Sequence, residues 1–331
     1  MKRINIKDLA KMLSLNPSTV SRALSDHPDI KTETKERVRA AAKEFNYQPN
    51  LRAKYFRQKT SGLIALILPE LNMFFVPQLM EGINDVLQDS DSSIIIFISN
   101  NSFERESEIV NHCINWSVDG VLISLSENTA DVKHLMQLKE SDIPVVILDK
   151  VVTSDQFTTI TIDDKLAAYD ATRYLINNDK RNILGIFGNP TLEITRQRVE
   201  GFSQALKEEN IPTSSYDVIF INQEKDVNEK LDPKLRKTPY DAAFVMSDEL
   251  LMFSITSLRK YNLYPNVISM VVISDGKLPY QLHPRVSHIK HSGIEIGKTA
   301  ARRLLLMKDA QQKVQHIKIP TQLISLESIF T

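Results

Sequence analysis

Residues 6–24 read "IKDLAKMLSLNPSTVSRAL", two short helical patterns separated by a break. Ile6, Leu9, Ala10 and Leu13 fall at i, i+3, i+4 and i+7 and make one apolar stripe. "SLN" interrupts it. Pro17 then suits the first turn of a second helix, with Asn16 before it as N-cap. That helix would bury Val20, Ala23 and Leu24 and turn Ser18, Thr19, Ser21 and Arg22 mostly outward. A third pattern, "TETKERVRAAAKEFNY", opens at Thr32 with Val38, Ala41, Ala42 and Phe45 on its stripe. Lys35 stands where a full capping box would need Glu or Gln. Two short helices joined by a tight turn and braced by a third describe a helix-turn-helix, whose second helix can enter the major groove. Arg can bond guanine bidentately or clamp phosphate, and the hydroxyls can serve either role.

Outward from this stretch, charge is segregated. The 331 residues carry no net charge, yet residues 1–59 hold 14 Lys+Arg against 6 Asp+Glu, and the remainder is acidic by the same margin. A basic module that touches a polyanion, attached to an acidic body, is the expectation. The opening "MKRINIKDLAKML" has no apolar core of signal-peptide length, and the runs "LIALIL" and "IIIFI" fall far short of the ~20 residues that span a bilayer. The one cysteine, Cys113, leaves no internal disulfide and no cysteine-based metal site, so a cytoplasmic location is expected.

From residue 61 short β-branched runs alternate with helical patterns: "GLIALIL" before "VPQLMEGINDVLQ", "SIIIFIS" before "FERESEIVNHCINW", and so on to "ISMVVIS". This predicts an α/β body of doubly wound parallel sheets with both faces covered. Ligands in such sheets bind beyond the carboxyl ends of the strands. Ser124, Asp149, Asp248 and Asp275 each follow an apolar run, and Arg196 and Arg198 open a helix. Taken singly, such residues cap the next helix. Together they point to a cleft for a polyhydroxylated ligand, with Asp accepting from hydroxyls and Arg donating to oxygens.

The quoted headpiece, with its "TVSRAL" core and "YQPN" close, resembles the LacI/GalR family of bacterial transcriptional regulators. The resemblance extends through "PELNMFFVPQLMEGI", "SVDGVLIS", "IPVVILDK", "TRQRVEGFSQAL", "SDELL" and "VVISDG". It implies an all-α headpiece over residues 1–48, a hinge over 49–60, and a core over 61–331 similar to periplasmic binding proteins. One core subdomain would comprise about 61–160 with 292–320, the other about 161–291 with 321–331. It further implies base reading by Pro17, Ser18 and Arg22, and effector contacts from Phe75, Ser124, Asp149, Arg198, Asp248 and Asp275. In the hinge, Asn50, Arg52, Ala53, Phe56 and Arg57 would touch DNA, with Phe56 where the family has a Leu that wedges into the minor groove. Ser14 stands where the family usually has Gly in the turn.

The chain is thus expected to be an operator-binding regulator, a repressor, working as a homodimer on a pseudo-palindromic site under control of a sugar or sugar derivative. A nucleobase or other metabolite fits the same architecture, and a sugar-binding protein or an α/β enzyme remains as a more distant alternative. No nucleophile, metal or cofactor signature anchors catalysis. "GIEIGKT" at 293–299 is one residue short of a P-loop and reads as the start of an amphipathic helix. His288 and His291 read as surface histidines. The helices "VPQLMEGINDVLQ" and "LMFSITSLRKYN" carry more Met and Leu than one stripe needs, which core packing or a dimer interface would explain.

Overall fold

The computed structural model describes residues 4–47, 60–88, 90–152, 154–265, 267–309 and 313–329. The chain divides into two units, Met1–Ser61 and Gly62–Thr331.

In the first unit the three expected helices form: α1 (Ile6–Leu13), α2 (Pro17–Leu24) and α3 (Thr32–Glu44). Asn5 caps α1, accepting from the Lys7 and Asp8 amides at 2.8 and 3.1 Å. Asp8 reciprocates by accepting from the Asn5 amide at 3.0 Å, a capping box outside the Ser/Thr–Glu pattern. Ser14 ends α1 in the left-handed region (φ 54°), the conformation for which Gly carries no steric penalty. Asn16 holds the cap position of α2 without a side-chain bond, and Lys31 rather than Thr32 precedes α3. Leu9, Ala10, Val20, Ala23, Val38 and Ala41 make the buried core. Phe45 departs from expectation: as the C-cap of α3 it lies past the last full turn and is 38% exposed. Asp26, after α2, receives Lys35 and Arg39 of α3 at 3.2 and 2.7 Å and ties the turn to the brace.

The second unit holds two six-stranded sheets. The first orders β11-β5-β4-β3-β1-β2, with β1 Leu63–Leu68, β2 Ser93–Ile98, β3 Gly120–Ile123, β4 Val145–Leu148, β5 Thr158–Ile162 and β11 His316–Ile319. The second orders β12-β10-β9-β8-β6-β7, with β6 Ile183–Phe187, β7 Tyr216–Phe220, β8 Ala242–Val245, β9 Ser269–Ser274, β10 Ser287–Lys290 and β12 Gln322–Ile324. The described pairings are parallel except β10 with β12, which is antiparallel. Between them run α4 (Val76–Leu87), α5 (Phe103–Asn115), α6 (Asp164–Asn177), α7 (Glu193–Glu208), α8 (Asp248–Lys260) and α9 (Gly293–Asp309), with shorter helical turns. The chain passes from one sheet to the other after β5, after β10 and between β11 and β12.

Two helix pairs pack backbone to backbone. A Cβ on Gly82 of α4 would lie 2.2 Å from the Ile294 carbonyl, and one on Gly297 of α9 would lie 2.3 Å from the Leu79 carbonyl. Gly201 of α7 similarly abuts Lys165 of α6, at 2.0 Å. Val76, Leu79, Ile83 and Leu87 of α4 are buried, while Met80 and Val86 are half-buried against the same core. On α8, Met252 is exposed. The expectation of covered faces fails at β2: as an edge strand its "SIIIFI" has no fully buried residue, and Ile96 is 36% exposed.

Candidate functional site

On α2, Pro17, Ser18 and Arg22 are exposed, while Thr19 and Ser21 are half-buried beside Val20 and Ala23. The exposed part of α2 therefore carries a Pro ring, a hydroxyl and a guanidinium. Asn50, Arg52, Ala53, Phe56 and Arg57 lie outside the described residues.

In the second unit a cleft of about 300 Å³ opens where strands of both sheets end. β1, β3 and β4 deliver Glu70, Glu127, Asp149 and Lys150, and the turn into α4 delivers Phe75. From the second sheet come Asn189 after β6, Asn222 after β7, Asp248 and Glu249 after β8, Asp275 after β9 and His291 after β10. Parallel strands present their carboxyl ends to a common edge, which is why residues far apart in sequence meet there.

Of the six sequence-derived effector residues, five line this cleft; Ser124 does not. It is fully buried, and its hydroxyl makes no hydrogen bond with the described residues. Asp149 stands in the left-handed region (φ 60°), and burial pushes its carboxyl upward against the pull of Lys150 and Arg198. Burial also raises Asp275, and it raises Asp248 to about 7, opposed by a hydrogen bond from Ser274 and reinforced by the Asp275 charge. Asp248 Oδ1 and Asp275 Oδ2 are buried and accept no hydrogen bond from the described residues.

Arg198 is buried and already engaged. Its Nε and Nη2 lie 2.9 and 2.8 Å from Asp164 Oδ1, and Nη1 donates to the Met246 carbonyl. Arg196, its neighbour in sequence, is exposed and pairs with Glu193 at 2.7 Å. Asp164 itself was missed by sequence reasoning, although it too follows an apolar strand, "TTITI". Burial raises it to about 6 despite Arg198.

Both histidines correct the surface assignment. His288 is buried within β10, and His291, also buried, stacks on Phe75 at 5.6 Å in the cleft wall. Burial, aided by Arg198, drives His291 down to about 3, so it is neutral at ordinary pH. The reason is positional: β10 lies inside its sheet, between β9 and β12, so residues that alternate like a surface strand are enclosed.

Among the described residues, three hydrogen bonds cross between the lobes at the cleft. Asn189 Nδ2 donates to Glu127 Oε2 at 3.2 Å, the Phe74 amide to Glu249 Oε1 at 2.9 Å, and Gln78 Nε2 to the Asp275 carbonyl at 3.4 Å. The loop bearing Glu127 is held from below by the fully buried Glu106 of α5, which accepts from the Ser126 amide at 2.6 Å and Thr129 Oγ1 at 2.9 Å. His134 Nε2 lies 2.9 Å from it. Burial alone would raise Glu106, but His134, Ser126 and Thr129 together hold it below the usual carboxylate range.

A helix-turn-helix unit followed by a two-lobed α/β unit, with a polar cleft at the strand ends, defines a DNA-binding protein with a small-molecule-binding core. Residues 5–50 match the family model for bacterial regulatory proteins of the lacI family, and residues 61–323 match that for periplasmic binding proteins and the sugar binding domain of the LacI family. The chain belongs to the LacI family and is a DNA-binding transcriptional regulator. It is 27% identical to catabolite control protein A of Priestia megaterium over 91% of each chain. It is 29% identical to the HTH-type transcriptional regulator MalR of Streptococcus pneumoniae, over 91% of this chain and 92% of MalR. These relatives are regulators, not enzymes. The fold matches the Lac repressor dimer bound to operator and the anti-inducer ONPF, with TM-score 0.85 at 20% identity over the whole of both chains. It also matches a CelR–cellobiose complex, with TM-score 0.71 at 22% identity over 98% of this chain and all of that one.

Proposed function

We propose that the protein is a homodimeric repressor, without catalytic activity, whose grip on a pseudo-palindromic operator is set by a sugar-like effector in the cleft between the lobes. Supporting this reading above all are two buried carboxylates that line the cleft, Asp248 and Asp275, each with one oxygen (Oδ1 and Oδ2 respectively) that has no hydrogen-bond donor from the described residues. A polyhydroxylated ligand supplies such donors. Phe75, Asp149, Asp248 and Asp275 would touch it, and Arg198 would organise the wall behind them. Since the chain passes three times between the lobes, which are bridged at Glu127–Asn189 and Phe74–Glu249, occupancy would alter how they close. The effector shifts operator affinity only through its differential binding to the two states.

On the DNA, Pro17, Ser18, Thr19, Ser21 and Arg22 of α2 would read the major groove. Phe56, flanked by Asn50, Arg52, Ala53 and Arg57, would wedge the minor groove at the centre of the site. Two headpieces are needed because one reads too few base pairs for specificity. The exposed apolar edge strand β2 and Leu71 offer surface to a second copy. Fluorescence anisotropy with operator and scrambled duplexes over a salt series tests the reading. Specific affinity should fall steeply with salt, and Phe56→Ala should weaken operator binding more than scrambled binding. Salt-insensitive binding, or equal loss on both duplexes, would contradict it.

A further inference from the structure

Charge on the cleft wall is unevenly divided. Glu70, Glu127, Asp149, Asp248, Glu249 and Asp275 face it, against two basic residues, Lys150 and Arg198. Both bases are already committed: Lys150 Nζ lies 3.4 Å from Glu127, and Arg198 is spent on Asp164 and the Met246 carbonyl. His291 contributes no charge at ordinary pH. Several of the acids are also occupied, Glu249 by the Phe74 amide and Glu70 by Asn101. Asp248 and Asp275 differ. They sit after β8 and β9, adjacent strands, and the Asp275 amide approaches Asp248 Oδ2 at 3.4 Å. Each is at least nine-tenths buried, and each keeps one orphan oxygen. The nearby charges are Glu249, which adds repulsion to both, and the exposed Lys277, which attracts Asp275 from outside the cleft.

We propose that the Asp248–Asp275 pair is a seat for a protonated amine on a polyhydroxylated effector, so that the cleft prefers an amino sugar or similar amino-polyol to its neutral parent and rejects anionic sugars. The proposal rests on the reading of the cleft as the effector site. An ammonium carries three donors, enough to serve both orphan oxygens at once, and its charge offsets two like charges that the fold holds together. A neutral hydroxyl brings one proton and no charge. A phosphate or carboxylate would meet the acidic wall with no uncommitted cation among the described residues to receive it. Phe75 and His291, stacked in the wall, add an apolar ring surface suited to the C–H face of a sugar. Because burial raises Asp248 to about 7, a sizeable fraction of it is protonated near neutrality, and docking of the ammonium favours the charged carboxylate and releases that proton to solvent.

The test is titration calorimetry on the full chain with matched sets built on glucose, galactose and mannose: the neutral sugar, its 2-amino-2-deoxy form, the N-acetylated amine and the 6-phosphate. At least one amine should bind on the order of tenfold more tightly than its neutral and N-acetyl counterparts, with no detectable 6-phosphate binding. Its enthalpy should vary with the ionisation enthalpy of the buffer, reporting proton release. Asp275→Asn should remove most of the amine preference; if that variant fails to fold, the wild-type comparison with the N-acetyl sugars decides alone. A neutral, N-acetylated or phosphorylated sugar that binds as tightly as its amine, or a panel in which no amine binds, overturns the seat. Titrating the same preparation with operator DNA separates the two readings. Intact operator binding with a neutral-sugar preference removes only the seat, whereas amine binding without operator binding removes only the regulator.

Discussion

Arg198 and Asp164 form a buried bracket, with Nε and Nη2 of the guanidinium 2.9 and 2.8 Å from the same carboxylate oxygen. Asp164 starts α6 just beyond the passage from β5, and Arg198 sits one turn into α7. Through Nη1 the bracket also holds the Met246 carbonyl at the end of β8. Three elements that wall the cleft are thereby fixed to one another, and the Arg forms part of the wall while holding it in place.

Removing one partner should therefore cost stability. Arg198→Ala leaves Asp164 buried without its cation, a situation that costs about 3–5 kcal/mol, eased as Asp164 takes up a proton. Arg198→Met with Asp164→Leu should be less destabilised than the sum of the single changes, because the double variant strands no charge. Urea unfolding of the four proteins checks this. Strictly additive losses would show that the two residues are not coupled.

The buried acids and His291 give opposite slopes of stability with pH. Asp248 and Asp164 are raised to about 7 and about 6, so their contribution is present below the ordinary carboxylate range and is lost as pH rises through those values. His291 is depressed to about 3 from 6.5, so its contribution is present above 6.5 and is lost as pH falls toward 3. Between the ordinary carboxylate value and 6.5 the two effects oppose. Above 6.5 the raised acids act without His291, and Asp248 by itself should lower stability by on the order of 1 kcal/mol by about pH 8. Asp248→Asn should flatten that limb in urea midpoints measured across the range, and His291→Phe should leave it unchanged.

Close helix packing predicts a different kind of sensitivity. A methyl at Gly297 would sit 2.3 Å from the Leu79 carbonyl, and backbone cannot rotate away as a side chain can. Gly297→Ala should force α9 off α4 and cost about 1–3 kcal/mol or more. Gly188→Ala, whose new methyl would meet Met246 Sδ at no closer than 3.7 Å, is the control and should be nearly neutral. Thermal unfolding of the two variants distinguishes them.

Most of the architecture was legible because helix stripes and strand runs follow local periodicity, and because ligand sites in parallel sheets fall at strand ends. Asp149, Asp248 and Asp275 emerged from that rule and do line the cleft. What was hidden depends on strand order, which no local pattern encodes. "SIIIFI" looks as buried as "LIALIL", yet β2 lies at an edge and β1 inside. "SHIK" looks half-exposed, yet β10 is interior and carries His291 into the wall. Phe45 fell on the right stripe but past the end of its helix. Asp164 obeyed the strand-end rule, and only its tie to Arg198, 34 residues away, shows its part in the site.

Glu106 supplies the last prediction. It touches no ligand position, yet it accepts from the Ser126 amide and the Thr129 hydroxyl and so fixes the loop that carries Glu127 to Asn189 across the cleft. Glu106→Gln keeps the shape but places an amide donor among those donors, leaving at least one buried group unpaired at about 1–3 kcal/mol. The strain should concentrate in the loop, because the residues Glu106 serves all lie between Ser126 and His134. Amide hydrogen exchange should accelerate over that stretch while β1 and β4 stay protected. Effector affinity should drop severalfold, since the Glu127–Asn189 bridge no longer has a fixed anchor, and operator binding without effector should be unchanged. Equal acceleration across the whole first sheet would instead mean that Glu106 is a general core residue with no particular hold on the cleft.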